Sequence, residues 1–211
     1  MTMAMGKFIT LEGVEGVGKT TNLNFIASYL TSNGKKIITT REPGGTKIAE
    51  KIRDLLLEHN EEKLCNESEL LLMFAARAQH IENIIKPALD AGKWVVCDRF
   101  TDATYAYQGG GRHFKMADIN WFEKFVQKGL SPDKTVLLDL SVDVGLERAA
   151  GRSEPDRFES EKKAFFNNVR RVYLERAKAE PNRFCIVDAS KSIEQVQKNI
   201  QRYLDKMLTD G

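Results

Sequence analysis

Eight consecutive residues, Gly13-Val14-Glu15-Gly16-Val17-Gly18-Lys19-Thr20, constrain this chain more than any others, because they satisfy G-x-x-x-x-G-K-[ST] at every specified position. Ordinary residue usage would produce such a match by chance about once in a hundred chains of this length. The loop works only between a strand and a helix, and the flanks agree. Phe8-Ile9-Thr10-Leu11 reads as a strand, and a helical pattern runs from Lys19 to about Asn33 with Leu23, Ile26, Ala27 and Leu30 on one face. The glycines let successive backbone N–H groups converge on a phosphate without an intervening side chain. Lys19 adds a point charge toward the β- and γ-phosphates, the Thr20 hydroxyl is placed for Mg²⁺, and the helix N-terminus adds positive potential. The alternative, a glycine-rich turn that binds nothing, is far less probable than a nucleotide phosphate site.

The remaining chain repeats the strand–helix alternation. Lys36 to Thr40, Trp94 to Cys97, Thr135 to Leu138 and Phe184 to Val187 read as further strands. Helices are predicted from Lys47 to about Glu58, from Glu67 to Ala91 and from Ser192 to Leu208. Ser68 or Asn66 is the candidate cap of the long middle helix; Pro87 should kink it or mark its last turns, and Gly92 should stop it. Gly34 sits where a helix C′ glycine belongs. Such alternation implies right-handed crossovers and a parallel sheet covered on both faces, hence an α/β fold. The 211 residues suit one domain, with no internal repeat or linker to divide them.

Composition excludes several other classes. Thirty-two Lys and Arg against 30 Asp and Glu leave a charge of +2, which indicates neither a nucleic-acid nor a membrane-surface partner. Cys65, Cys97 and Cys185 are scattered and odd in number, as are His59, His80 and His113, so neither a disulfide framework nor a zinc site is expected. No apolar run approaches a membrane span, and Met1 to Met5 lack the pattern of a signal peptide. A cytoplasmic protein is expected. Cys97, at the end of a buried strand, reads as inert core.

Cationic clusters follow three predicted strands: Arg41-Glu42-Pro43-Gly44-Gly45, Asp98-Arg99-Phe100, and the stretch from Glu147-Arg148 to Asp156-Arg157-Phe158-Glu159. Strand ends of a parallel sheet open on one edge, so these arginines gather near the phosphate loop. Singly each reads as a surface residue; together they suggest a second phosphorylated ligand. No N-K-x-D tetrapeptide occurs, which weakens a guanine-nucleotide switch.

With these clusters the chain resembles the bacterial thymidylate kinases. The resemblance rests on Leu11 to Thr20, Thr40 to Thr46, Phe74-Ala75-Ala76-Arg77-Ala78-Gln79, Asp98 to Phe100, Ala106-Tyr107-Gln108-Gly109-Gly110-Gly111, Asp156 to Glu159 and Val187-Asp188-Ala189, in the family's order over nearly the whole chain. It implies a P-loop NTPase fold with a five-stranded parallel sheet in order 2-3-1-4-5, assembled as a homodimer, with a lid at about residues 148–160. It also implies that the loop residues Gly13, Val14, Glu15, Gly16, Val17, Gly18, Lys19, Thr20 and Thr21 hold ATP with Mg²⁺, and that Ala189 lines the adenine. Arg99 would grip the dTMP phosphate, with Asp98 beside the metal and Glu15 near the sugar 3′-hydroxyl or the metal. Arg77 would donate to thymine O4 and Phe74 would stack on the base. Thr104, Tyr107 and Gln108 would contact base or deoxyribose, Glu42, Pro43 and Leu57 would line the base site, and Arg53 would assist at the phosphate. Arg152 and Arg157 are the candidate lid arginines for the transferred phosphoryl. Two departures stand out: many relatives place the stacking phenylalanine four residues before the arginine, where this chain has Met73, and Ala150 interrupts a lid that reads R-x-R-x-R in some bacterial members.

The implied reaction moves the γ-phosphoryl of ATP to dTMP. A phosphate monoester with a second pKa of about 6 is already a nucleophile at neutral pH, so no general base is needed. The alternatives are a kinase for another monophosphate, a deoxynucleoside kinase with Glu42 or Asp98 as base, or a nucleotide-gated switch.

Overall fold

The computed structural model describes residues 6–59, 61–150 and 156–209. Its elements run β1 (Phe8–Glu12), α1 (Lys19–Ser32), β2 (Ile37–Arg41), α2 (Lys47–Leu57), α3 (Asn66–His80), a π-helical turn (Ile81–Ile85), α4 (Lys86–Asp90), β3 (Trp94–Asp98) and α5 (Thr101–Thr104). A second π-helical segment (Tyr105–Gly111) continues α5, followed by α6 (Met116–Gln127), β4 (Lys134–Asp139), α7 (Val142–Ala149), α8 (Lys163–Ala179), β5 (Phe184–Asp188) and α9 (Ile193–Thr209).

All five strands pair in parallel in the order β2-β3-β1-β4-β5, as the resemblance implied. β1 is central and buried at every position, which explains the apolar and threonine residues of Phe8 to Leu11; only Glu12, at its C-terminal end, is charged. Side-chain alternation divides the strands between two cores. Ile9, Leu11 and Val96 join Ile26 and Leu30 of α1, whereas Phe8, Val95 and Cys97 meet Ile81, Ile85 and Leu89 on the other face. Cys97 is core, and burial pushes its thiol well above the ordinary range.

Two predicted details change. The middle helix is capped neither by Ser68 nor by Asn66: it begins after Cys65, whose Sγ donates to Ser68 Oγ at 3.1 Å and so occupies that hydroxyl. Further on, Pro87 does mark the last turn, inside α4, but the helix is widened one turn earlier at Ile81–Ile85, since the proline ring cannot sit against the carbonyl of a regular preceding turn. The C-terminal ends of β1, β2 and β3 lie on one edge of the sheet, and there the Gly13 to Gly18 loop, the turn after Arg41 and the Asp98-Arg99-Phe100 turn converge.

Candidate active site

The phosphate loop is held in place by close packing. Gly16 has φ +72°, and a Cβ there would lie 2.0 Å from the Gly145 carbonyl oxygen, so the loop rests directly on the backbone of α7. Lys19 is curled onto its own loop: Nζ donates to Val14 O at 3.0 Å and Gly13 O at 3.3 Å and lies 3.6 Å from Glu15 Oε2.

Glu15 is the electrostatic hub. Arg99 Nη2 donates to both its oxygens at 2.7 and 2.9 Å, and Tyr107 Oη donates to Oε1 at 2.7 Å. Burial alone would raise this carboxyl, but Arg99, then Lys19 and the Tyr107 hydroxyl outweigh it and bring it down to about 2. Lys19 is lowered from its ordinary value, first by burial and then by Arg99. Arg99 has φ +66°. Its turn is pinned by Arg99 N donating to Leu11 O at 3.0 Å and by Phe100 N donating to Glu12 Oε1 at 2.7 Å. Glu12 also accepts from Tyr173 Oη at 2.7 Å, and burial, with the Asp102 charge nearby, pushes it up to about 8.

The opposite wall is built around Arg77, which is 2% exposed. Its Nε donates to Glu42 Oε2 at 2.7 Å, and Nη2 donates to Phe100 O at 3.1 Å and Thr104 Oγ1 at 3.0 Å. The guanidinium lies 5.0 Å from the Phe74 ring and 5.1 Å from the Phe100 ring. Nη1 is buried and has no hydrogen-bond partner among the described residues.

One cavity joins both walls. Of the residues singled out from the sequence, it is lined by Glu15, Gly16, Val17, Gly18, Lys19, Thr20, Glu42, Pro43, Arg53, Leu57, Arg77, Asp98, Arg99, Thr104, Tyr107 and Gln108. Pro43 follows a cis peptide bond, and its carbonyl accepts from Arg53 Nη1 at 3.0 Å. Gln108 is buried, its amide donating to Glu69 Oε1 at 2.9 Å.

Other expected residues lie elsewhere. Gly13, Val14 and Thr21 belong to the loop and helix start but not to the cavity wall. The structure puts Phe74 in the core, stacked on Phe122 with ring centres 5.3 Å apart, and the neighbouring Met73 lines the cavity in its place. Arg157 is turned away: Nε donates to Leu56 O at 2.8 Å and Nη2 pairs with the fully buried Glu69 at 2.7 Å. Ala189 is buried outside this cavity, where its carbonyl accepts from Arg148 Nη1 at 3.1 Å. Arg152 lies outside the described residues.

Sequence reasoning missed Phe100, Ala103, Ala149, Asp156, Phe158 and Glu159 as wall residues, although Asp156, Phe158 and Glu159 stood in a cluster already noted. It also missed Glu69, which receives Arg112, Arg157 and Gln108 and ties the segment around Arg157 to α3. No local pattern marks Glu69, because its partners come from distant segments.

Comparison with known proteins gives the family. The thymidylate kinase family profile matches residues 11–200. Thymidylate kinases from Pseudomonas syringae pv. tomato and Teredinibacter turnerae are each 54% identical over 203 residues, covering 96% of this chain and 97% and 99% of theirs. The crystal structure of thymidylate kinase from Ehrlichia chaffeensis superposes with a TM-score of 0.76 at 33% identity, covering 95% of this chain and 99% of that one. A match this complete in sequence and in fold leaves one conclusion: this chain belongs to the thymidylate kinase family.

Proposed function

We infer that this chain transfers the γ-phosphoryl group of ATP to the 5′-phosphate of dTMP, giving dTDP and ADP, with the cavity's residues dividing the work as follows. Backbone N–H groups of Gly13 to Thr20 and the Lys19 ammonium hold the donor phosphates. Arg99, with Arg53 beside it, holds the acceptor phosphate bidentately. Arg77 reads the base, Met73, Pro43 and Leu57 pack around it, and Tyr107, Thr104 and Gln108 face the sugar and base. Phe74 backs Arg77 and does not stack on the base. Arg148 and Ala189 bracket the adenine. Arg152 and Arg157 supply the lid's positive charge, and Arg157 reaches the phosphoryl only by giving up Glu69.

The acceptor is dianionic at neutral pH, so the chain has no proton to remove. Its task is to align two anions and to stabilise the charge spread over the moving phosphoryl with fixed cations. Water must be kept out, since it would compete as acceptor, and that is the work of the lid at about 148–160.

Thr20 and Asp98 fit Mg²⁺: both line the cavity, and Asp98 Oδ1 is buried without a hydrogen-bond partner among the described residues. Magnesium suits one or two such hard oxygens, with phosphate and water completing its shell. When bound, it supplies positive charge to the phosphate oxygens.

The observation that carries this reading is a single cavity joining the phosphate loop to a buried arginine whose Nη1 has no hydrogen-bond partner among the described residues. An ADP-release assay over dTMP, dUMP, dCMP, thymidine and deoxycytidine tests it. Turnover dependent on dTMP is expected. A preference for a nucleoside would point to a hydroxyl acceptor, and slow acceptor-independent hydrolysis to a switch.

A homodimer is part of the proposal. Trp121 and Phe125 of α6 stack at 5.4 Å yet are 59% and 65% exposed, and Leu71 on the adjoining α3 is 52% exposed. An apolar face of this kind is suited to a second copy of the chain. No described helix is long and apolar enough to cross a membrane, and three unpaired cysteines support a reducing cytoplasm. The near-neutral charge supports the absence of a nucleic-acid partner.

A further inference from the structure

We propose that His80 is a positioning residue for base selection, acting through Glu42 to keep Arg77 Nη1 free for the acceptor atom of the base. The inference rests on the assignment of Arg77 as base reader. His80 is fully buried and does not line the cavity. Its Nδ1 lies 2.9 Å from Glu42 Oε1, and its Nε2 lies 2.7 Å from Thr40 Oγ1. Glu42 Oε2, in turn, accepts from Arg77 Nε. The chain Thr40–His80–Glu42–Arg77 thus runs from β2 through α3 to the cavity wall.

The bond count shows why the far end matters. Arg77 offers five N–H groups. Nε is taken by Glu42, and the two hydrogens of Nη2 by Phe100 O and Thr104 Oγ1, which leaves the Nη1 pair for a ligand. A carboxylate beside a guanidinium favours bidentate pairing through Nε and Nη2 together. Glu42 does not adopt it here because His80 holds the other oxygen. Without the imidazole, Oε1 would be buried and unpaired and would swing toward Nη2. Arg77 would then lose Phe100 or Thr104 and rotate, turning Nη1 away from the base. Among the described residues the His80 ring hydrogen-bonds to Thr40 and Glu42 and not to a phosphate-loop residue or Arg99, so the effect should appear in binding and base preference and not in the chemical step.

The test uses the full chain with Arg77→Ala, His80→Phe, His80→Asn, Thr40→Val and the double variant Arg77→Ala/His80→Phe. Steady-state kcat and KM are measured with dTMP and dCMP, together with thermal melting. His80→Phe should raise KM for dTMP and reduce the dTMP-over-dCMP preference in kcat/KM, each by roughly tenfold, with kcat nearly unchanged. His80→Asn, whose amide can still donate to Glu42, should recover most of the preference. The double variant should match Arg77→Ala alone, because a residue acting through Arg77 has nothing to act through once Arg77 is gone. Should His80→Phe not fold, Thr40→Val must still lower the preference, by about threefold through loss of one hydrogen bond. The proposal is overturned if folded His80→Phe keeps the wild-type preference, if it loses kcat alone, if His80→Asn rescues nothing, or if its effect adds fully to that of Arg77→Ala. An Arg77→Ala variant that still prefers dTMP would instead refute the base-reader assignment beneath it.

Discussion

Replacing Glu15 by Gln tests the electrostatics of the site before any nucleotide arrives. In the structure the carboxylate holds two cations that would otherwise face each other, Arg99 at 2.7 Å and Lys19 at 3.6 Å. Its folded value of about 2 lies below the ordinary 4.5, and the side chain is only 15% exposed, so solvent screening is limited. A carboxyl depressed on folding contributes stability that is fully present above 4.5 and is lost as pH falls toward 2. The difference corresponds to about 3 kcal/mol at pH 7, falling to about 1.5 kcal/mol at pH 3. Glu15→Gln keeps the shape and an acceptor oxygen but removes the charge, so it should lose most of that amount at neutral pH. Urea unfolding followed by fluorescence of the buried Trp94 would measure the gap at several pH values between 7 and 3. The gap should close by about half across that range. Inorganic phosphate should restore part of the variant's loss, because an anion in the loop replaces the missing carboxylate. A gap that stays constant with pH, or a variant more stable than wild type at pH 7, would refute the reasoning.

Three further outcomes are expected. If Arg77 reads the base as proposed, dCMP should be rejected by roughly 10⁴-fold in kcat/KM, because its amino group would face the Arg77 donor, whereas dUMP should fall only about tenfold for want of one methyl group; steady-state kinetics on the three monophosphates checks both. Arg99→Ala should weaken dTMP binding itself, while Arg152→Ala should lower kcat by about 10³-fold or more at unchanged dTMP affinity, a contrast that calorimetry combined with turnover would resolve. The proposed dimer predicts that Trp121→Glu with Phe125→Glu sediments as a monomer where the wild-type chain sediments as a dimer, since each substitution places a charge on the exposed stacked pair.

What could be read from the sequence was local. Strand–helix alternation, the phosphate loop and the Asp98-Arg99-Phe100 turn each lie within a short window, and element boundaries differ by a residue or two from the structure. The choice between Met73 and Phe74 was not local. Four and three residues before Arg77, either spacing can bring the side chain to Arg77's side of α3, and the decision is made by Phe122 on α6, which takes Phe74 as a stacking partner and leaves Met73 to the cavity. Arg157 is a similar case. Its motif pointed to the phosphates, but Glu69, buried and already approached by Arg112, draws it toward α3.

Gln108-Gly109-Gly110-Gly111 shows most clearly how packing can override local composition. Three successive glycines read as a loop, yet the segment from Tyr105 to Gly111 is helical and lies against α8. A Cβ on Gly110 would meet the Asn168 carbonyl oxygen at 2.8 Å, and one on Gly111 would meet the Phe165 ring at 2.3 Å. The glycines therefore allow two helices to approach more closely than side chains permit, and the contact with α8 offsets their poor helical propensity. That approach has a consequence for the site. The same segment carries Tyr107 and Gln108, and seating it on α8 brings the Tyr107 hydroxyl to Glu15 and the Gln108 amide to Glu69. The glycine run is thus a packing device whose effect is felt on the cavity wall that Tyr107 and Gln108 line, where a mobile loop would leave both polar groups unplaced.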